Sequence, residues 1–227
     1  MNNMLDIQDL HHSYRMGSKT LEIIRGINFT LEKGKWCCIY GASGSGKTTL
    51  LNLAGTLEQP DSGKIIINGT DVSRLSRREA AKFRGNNIGF IFQSYHLIAE
   101  LNVLENTLFA SAFSNKNSKN AVKRATELLE AVGLQDRLHH FPSELSGGER
   151  QRCAIARSLI NDPELILADE PTGNLDSQTG SEIIHLFTSL RHQKPELTIL
   201  MITHNPEVAA SADRALKLEN GVLVDME

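Results

Sequence analysis

Nine residues, Gly41-Ala42-Ser43-Gly44-Ser45-Gly46-Lys47-Thr48-Thr49, constrain this chain more than any other stretch. They satisfy the spacing G-x-x-x-x-G-K-[ST] and stand between an apolar run, Trp36-Cys37-Cys38-Ile39-Tyr40, and a Leu-rich run that reads as a helix. Gly41, Gly44 and Gly46 let the backbone bend tightly, so that successive amide N–H groups face one phosphate at the positive end of the following helix. The cradle runs from Gly41 through Ser43, Gly44, Ser45 and Gly46 to Thr49. Within it Lys47 bridges the outer phosphates of a nucleotide, and the Thr48 hydroxyl is placed to ligate Mg2+. A flexible Gly/Ser linker needs neither Lys-Thr nor structured flanks, so the phosphate reading is preferred.

The rest of the chain reads as α/β around this loop. Ile27, Phe29 and Leu31 alternate strictly with Gly26, Asn28 and Thr30, and Leu5 and Ile7 alternate with polar neighbours, which predicts a half-buried antiparallel sheet from Leu5 to Leu31. Tyr14 closes its first strand before a turn at Gly17-Ser18, and periodicity alone makes it a packing residue. Trp36–Tyr40 is apolar at every position, as in a strand covered on both faces. Ile65–Ile67 is a further strand, ended by Asn68-Gly69. Residues 76–84 are expected to form a short basic helix with Arg77-Arg78 on a solvated face.

Beyond the apolar run Ile88–Phe92 the pattern becomes helical. Residues 94–160 read as an α-helical lobe inserted into the core, in which Ala121, Val122, Ala125, Leu128, Leu129 and Val132 share one face. Within it, Ser114–Asn120 is a polar connection of the composition expected of a mobile loop. The core resumes at Leu165–Ala168. An inner helical face follows with Ile183, Ile184, Leu186, Phe187 and Leu190, then the buried run Thr198–Ile202 and a closing hairpin over Asp213–Val224.

Length and charge narrow the function. The chain has 227 residues, enough for one domain of generous size, with a formal charge of -3. A nucleic-acid binder would carry a basic face, so nucleic acid is not an expected partner. The apolar runs are far shorter than the roughly 18 residues of a membrane span, and Met1-Asn2-Asn3-Met4 lacks the regions of a secretory signal. The expectation is a cytoplasmic protein with no direct membrane insertion. Cys37, Cys38 and Cys153 contain no C-x-x-C pair and are expected to be reduced packing residues.

Four apolar runs end, at their carboxyl ends, in residues suited to phosphate, metal or water: Gly41 with Lys47, then Gln93, then Asp169 with Glu170, then His204. In open parallel α/β sheets, ligands bind at the carboxyl ends of the strands, so these four ends are expected at one site. Asp169 is suited to hold Mg2+ through water and Glu170 to take a proton from an attacking water. A second glycine motif, Leu145-Ser146-Gly147-Gly148-Glu149, opens a helix and makes another anion site, with Ser146 as its cap. Two phosphate-binding helix starts with one set of hydrolytic residues are reconciled if the second serves another subunit's nucleotide in a head-to-tail dimer.

In this order, the phosphate loop, LSGGERQR at 145–152, LILADE at 165–170, Asn174-Leu175-Asp176 and His204 resemble the ATP-binding subunits of ABC transporters over nearly the whole chain. The resemblance implies a P-loop parallel-sheet core with an N-terminal antiparallel β subdomain and an inserted α-helical subdomain. It implies that ATP and Mg2+ are bound, that Tyr14 stacks on adenine, and that Gln93 joins the metal and couples the γ-phosphate to a transmembrane partner. Asp176 falls in the family's D-loop and His204 is its switch histidine, while Ser146, Gly147 and Gly148 grip the opposite subunit's ATP.

GFIFQSYHLIAELNVLEN, PSELSGGERQR and LADEPTGNLD further resemble the lipoprotein-releasing and macrolide-exporting subfamily, which shares its shape with a cell-division ATPase. The implied role is a homodimeric ATPase on the cytoplasmic face of the membrane that energises a permease. Cys153 stands where Val is usual and Asn205 where Asp commonly follows the histidine. A soluble ABC ATPase acting on DNA repair or ribosomes would need a long coiled-coil insertion or a second ATPase half. Glu170 and His204 argue against a regulatory module without turnover.

Overall fold

The computed structural model describes residues 2–114 and 120–225. The polar connection expected at Ser114–Asn120 falls mainly on residues 115–119, outside the described residues. In chain order the elements are β1 (Asn3–Met16), β2 (Lys19–Glu32), β3 (Trp36–Tyr40), α1 (Lys47–Ala54), β4 (Ser62–Ile67), β5 (Thr70–Asp71), α2 (Arg77–Asn87) and β6 (Ile88–Ile91). They continue with α3 (Val103–Phe109), α4 (Ala121–Ala131), α5 (Gly147–Leu159), β7 (Leu165–Asp169), α6 (Ser177–Gln193), β8 (Thr198–Thr203), α7 (Pro206–Ala209), β9 (Arg214–Glu219) and β10 (Val222–Asp225). The chain divides into two compact units, residues 1–80 with 196–227, and residues 81–195.

In the first unit an antiparallel sheet has the order β2-β1-β4-β5. On β2 the alternation is realised, with Ile27, Phe29 and Leu31 buried, Asn28 and Thr30 exposed and Gly26 half-buried. On β1 the buried side changes parity, from Leu5 and Ile7 to Leu10 and His12. The change falls at Asp9, whose φ of 46° marks a β-bulge between Ile7 and Leu10. Gly63 of β4 is required there, because a Cβ on it would lie 2.3 Å from the Asp9 carbonyl oxygen. The second layer pairs β3 in parallel with both β8 and β9, and β10 closes antiparallel on β9 as the expected hairpin. All six residues of β8 and the first four of β3 are buried, as their unbroken apolar runs require.

In the second unit β6 and β7 pair in parallel, Ile88 opposite Leu165 through Ile91 opposite Ala168. Gly89 admits the backbone of α5, since a Cβ there would stand 2.4 Å from the Ser158 carbonyl oxygen. The buried Asn106 of α3 ties down the preceding loop, accepting from the Ile98 N–H and donating to the carbonyls of Ile98, Leu101 and Asn102. On the inner face of α4, Ala125, Leu129 and the following Val132 are buried, but Val122 is 59% exposed. The buried stripe begins one turn later than the sequence pattern predicts. α6 buries Ile183, Phe187 and Leu190, with Ile184 and Leu186 half-buried.

The basic helix α2 runs three residues beyond its expected end, and Arg77 and Arg78 are exposed. The three cysteines are buried and unpaired, and burial pushes Cys37 and Cys38 up to about 12 and Cys153 to about 11, so the thiols stay protonated. Among the described residues no helix is long and apolar enough to cross a membrane.

Candidate active site

The phosphate loop leaves β3 at Gly41 and enters α1 at Lys47. Its glycines are there for space and for backbone conformation. A Cβ on Gly41 would sit 2.6 Å from the Leu218 carbonyl oxygen, and one on Gly46 would sit 2.7 Å from Ile23 Cγ2. Gly44 and Gly46 have φ of 79° and 101°, the left-handed region that side chains disfavour. Ala42, Ser43 and Gly44 form the exposed crest, Thr48 is also exposed, and Ser45 and Thr49 are half-buried.

The Lys47 ammonium is buried and donates to the carbonyls of Gly41 and Ala42, at 2.9 Å each. That uses two of an ammonium's three donors and leaves one to point at an anion. Ser45 Oγ is buried and has no hydrogen-bond partner among the described residues, an orphan of the kind a phosphate oxygen would satisfy. The residues present therefore fit a polyphosphate.

His204 follows β8 as the loop follows β3, and in this parallel pair Tyr40 stands opposite Thr203. Gly41 and His204 therefore leave neighbouring strands at the same end. His204 is exposed, and the next residue, Asn205, caps α7 by accepting from the Glu207 N–H at 2.8 Å. Asn at this position still supplies the cap that Asp would. Tyr14, 38% exposed, donates its hydroxyl to Glu58 Oε2 at 2.6 Å, and burial followed by this carboxylate pushes the phenol above its ordinary range.

The second unit repeats the arrangement. Ile91 and Ala168 are partners, so Gln93 and the Asp169-Glu170 pair leave adjacent parallel strands at one end. Glu170 has a φ of 43°, a left-handed backbone at a non-glycine residue of the kind held at functional sites. Its carbonyl accepts from the Gly173 N–H at 3.0 Å. A Cβ on Gly173 would come within 2.7 Å of Gln93 Nε2 and 3.2 Å of Glu170 Oε2, so the missing side chain admits both groups. Asn174 locks Gln93 in place, accepting from its side-chain amide at 3.2 Å and donating to its backbone carbonyl at 2.9 Å.

Ser146 caps α5, and a capping box joins it to Glu149: Ser146 Oγ accepts from the Glu149 N–H at 3.2 Å, and the Ser146 N–H donates to the Glu149 carboxylate at 2.8 Å. Arg137 donates to the same carboxylate at 2.9 Å. The Ser146 amide and then Arg137 hold Glu149 down to about 2. Leu175 and Tyr95 close on Gly147, and Thr179 on Gly148. Asp176 caps α6, accepting from the N–H and the hydroxyl of Thr179, which keep its carboxyl below the usual range.

Gly173, Thr179 and Arg157 escaped the sequence reading. Gly173 lies within the PTGNLD stretch, where a glycine after an acidic strand end is a usable signal; Thr179 and Arg157 carry none. Arg157 donates to the carbonyls of Tyr95 and His96, in the loop that follows Gln93. Beside this loop is a cavity of about 300 Å3 lined by Phe90, Phe92, His96, Phe109, Phe113 and Arg157 among others.

A glycine cradle with a buried lysine at one strand end, and an acidic pair at another, define a P-loop nucleotide hydrolase. A model of the ABC transporter family matches residues 24–173, and the chain belongs to that family as one of its ATPases. It is 47% identical over 222 residues to the lipoprotein-releasing system ATP-binding protein LolD 1 of Rhodopirellula baltica, covering 97% of this chain and 96% of that protein. It is 43% identical to the macrolide export ATP-binding/permease protein MacB of the same organism, covering 98% of this chain but only 33% of that protein, so it spans about a third of that relative. Among solved structures it matches an ATP-binding cassette dimer in a post-hydrolysis state bound to ADP and Pi, with a TM-score of 0.90 and 36% identity over 99% of this chain and 98% of that one.

Proposed function

We propose that this chain is the energising subunit of a membrane permease system of the lipoprotein-release or macrolide-export type, working as a homodimer on the cytoplasmic face of the membrane. The observation that carries the reading is the delivery of functional groups in pairs at strand ends: Gly41 with His204, and Gln93 with Asp169-Glu170. In this reading Lys47 and the loop amides from Gly41 to Thr49 hold the phosphates, with Ser43 and Ser45 among the loop's hydroxyls. Tyr14 stacks on the base. Thr48, Asp169 and Gln93 would hold Mg2+, which supplies neutralisation of phosphate charge. Glu170 accepts the proton of the attacking water and His204 helps orient it.

Ser146, Gly147 and Gly148, with Asp176 nearby, serve the nucleotide of the second copy. This accounts for two anion-binding helix starts and one hydrolytic set. An isolated monomer therefore binds ATP and hydrolyses it poorly. Residues 94–160 act as the helical subdomain that meets the permease, and an apolar cytoplasmic segment of that permease suits the cavity beside the Gln93 loop.

Glu170→Gln tests the assignment. Turnover falls by at least about 100-fold, the range of a lost general base, while ATP binding is retained and a dimer accumulates on size-exclusion chromatography. Hydrolysis at the original rate would refute the role given to Glu170. Recovery of the wild-type chain from membranes together with a permease tests the coupling.

A further inference from the structure

Glu58 lies outside every motif of the sequence, yet it gathers the side chains around Tyr14. Its Oε2 accepts from the Tyr14 hydroxyl at 2.6 Å and stands 3.4 Å from His12 Nε2, while its Oε1 accepts from Asn52 Nδ2 at 2.8 Å. Asn52 belongs to α1, the helix that opens at Lys47, and Thr49 of that helix places its Oγ1 3.4 Å from the same Tyr14 hydroxyl. The buried ring of His12 meets Tyr14 edge to face, with centroids 4.9 Å apart and planes at 89°. All of these residues belong to one compact unit.

A phenol that donates to a carboxylate makes a short, charge-assisted hydrogen bond and holds its ring in one orientation. The ring is nevertheless 38% exposed, so part of it stays open to a ligand. We infer that Glu58 is a positioning residue for Tyr14: it holds the ring ready for a base and ties it, through Asn52, to the helix that begins at the phosphate loop. The base and the phosphates of one nucleotide are thereby held in register. The freedom of the ring is given up on folding instead of on binding, which is how preorganisation raises affinity. The inference rests on the reading of Tyr14 as the base-stacking residue.

The test titrates the full chain with ATP and, separately, with inorganic tripolyphosphate, which has no base. Glu58→Ala and Tyr14→Phe each weaken ATP binding about three- to tenfold, the worth of one hydrogen bond. The double variant loses no more than the larger single loss, and Glu58→Gln, which keeps an acceptor oxygen for the phenol, recovers most of it. Tripolyphosphate affinity stays constant throughout. Equal losses for ATP and tripolyphosphate would overturn the inference by showing that Glu58 supports the loop and not the ring. Additive losses in the double variant would do the same.

Tyr14→Ala separates the two readings. If it loses ATP affinity while Glu58→Ala and Tyr14→Phe do not, Glu58 has no positioning role although Tyr14 does stack on the base. If Tyr14→Ala itself leaves ATP binding unchanged, the stacking reading fails and the inference falls with it. Tyr14→Phe keeps the test decisive even if Glu58→Ala does not fold.

Discussion

The guanidinium of Arg157 donates to the carbonyl oxygen of Tyr95 at 2.6 Å, and it also reaches the carbonyl of His96. Tyr95 and His96 are consecutive left-handed residues, with φ of 61° and 47°. A planar fork thus braces a backbone that its own side chains disfavour, in the loop that follows Gln93.

Arg157→Ala removes this brace and is expected to cost about 2 kcal/mol of stability, the scale of hydrogen bonds from a charged donor. Arg157→Lys restores little, because an ammonium cannot reproduce the fork. Denaturant unfolding measures the loss, and amide exchange should quicken over residues 94–98 first.

Gly148→Ala places a methyl group 2.6 Å from Thr179 Cγ2. Thr179 cannot simply turn away, since its hydroxyl is bonded to Asp176 at 2.7 Å. The variant is expected to lose about 1–3 kcal/mol, the usual cost of overpacking. Thr179→Ser removes the offending methyl and keeps the hydroxyl, so in that background the same substitution should be well tolerated. Thermal unfolding of the four combinations measures the coupling.

The capping box at Ser146 sets a pH dependence. Glu149 is held at about 2 in the fold, below its ordinary carboxyl value, by the Ser146 amide and Arg137. A lowered carboxyl stabilises the fold above its unfolded value, and that contribution is lost as pH falls through about 2. Wild type should therefore lose stability relative to Glu149→Gln between about pH 5 and pH 2. Urea unfolding across pH 3–6 tests the slope, and a constant difference would show that the carboxylate does not titrate as described.

Phe113 is 60% exposed and lines the cavity beside the Gln93 loop. Phe113→Asp puts a charge on that apolar surface and is expected to weaken association with permease-containing membranes by at least about tenfold, as loss of an aromatic anchor does. Co-sedimentation with membranes measures it. ATP titration of the isolated chain should be unchanged.

Much of this was legible in the linear order of residues. The loop at Gly41–Thr49, the cap at Ser146 and the strands ending at Gln93, Asp169 and His204 all follow from local rules: glycine freedom, capping, and unbroken apolar runs. Val122 is where such rules failed, because periodicity assigns a residue to a face without saying where along the helix its packing partner begins.

By itself, the sequence determined which residues could carry the chemistry and at which strand ends they stand, because backbone conformation and side-chain alternation are set by neighbours a few residues apart. Only the tertiary structure decided which of those ends are adjacent, Tyr40 beside Thr203 and Ile91 beside Ala168. It alone brought Glu58 to Tyr14, Arg157 to Tyr95 and Thr179 to Gly148. These partners are separated by 31 to 62 positions, and no local periodicity encodes contacts across such distances. They are made when distant segments pack together.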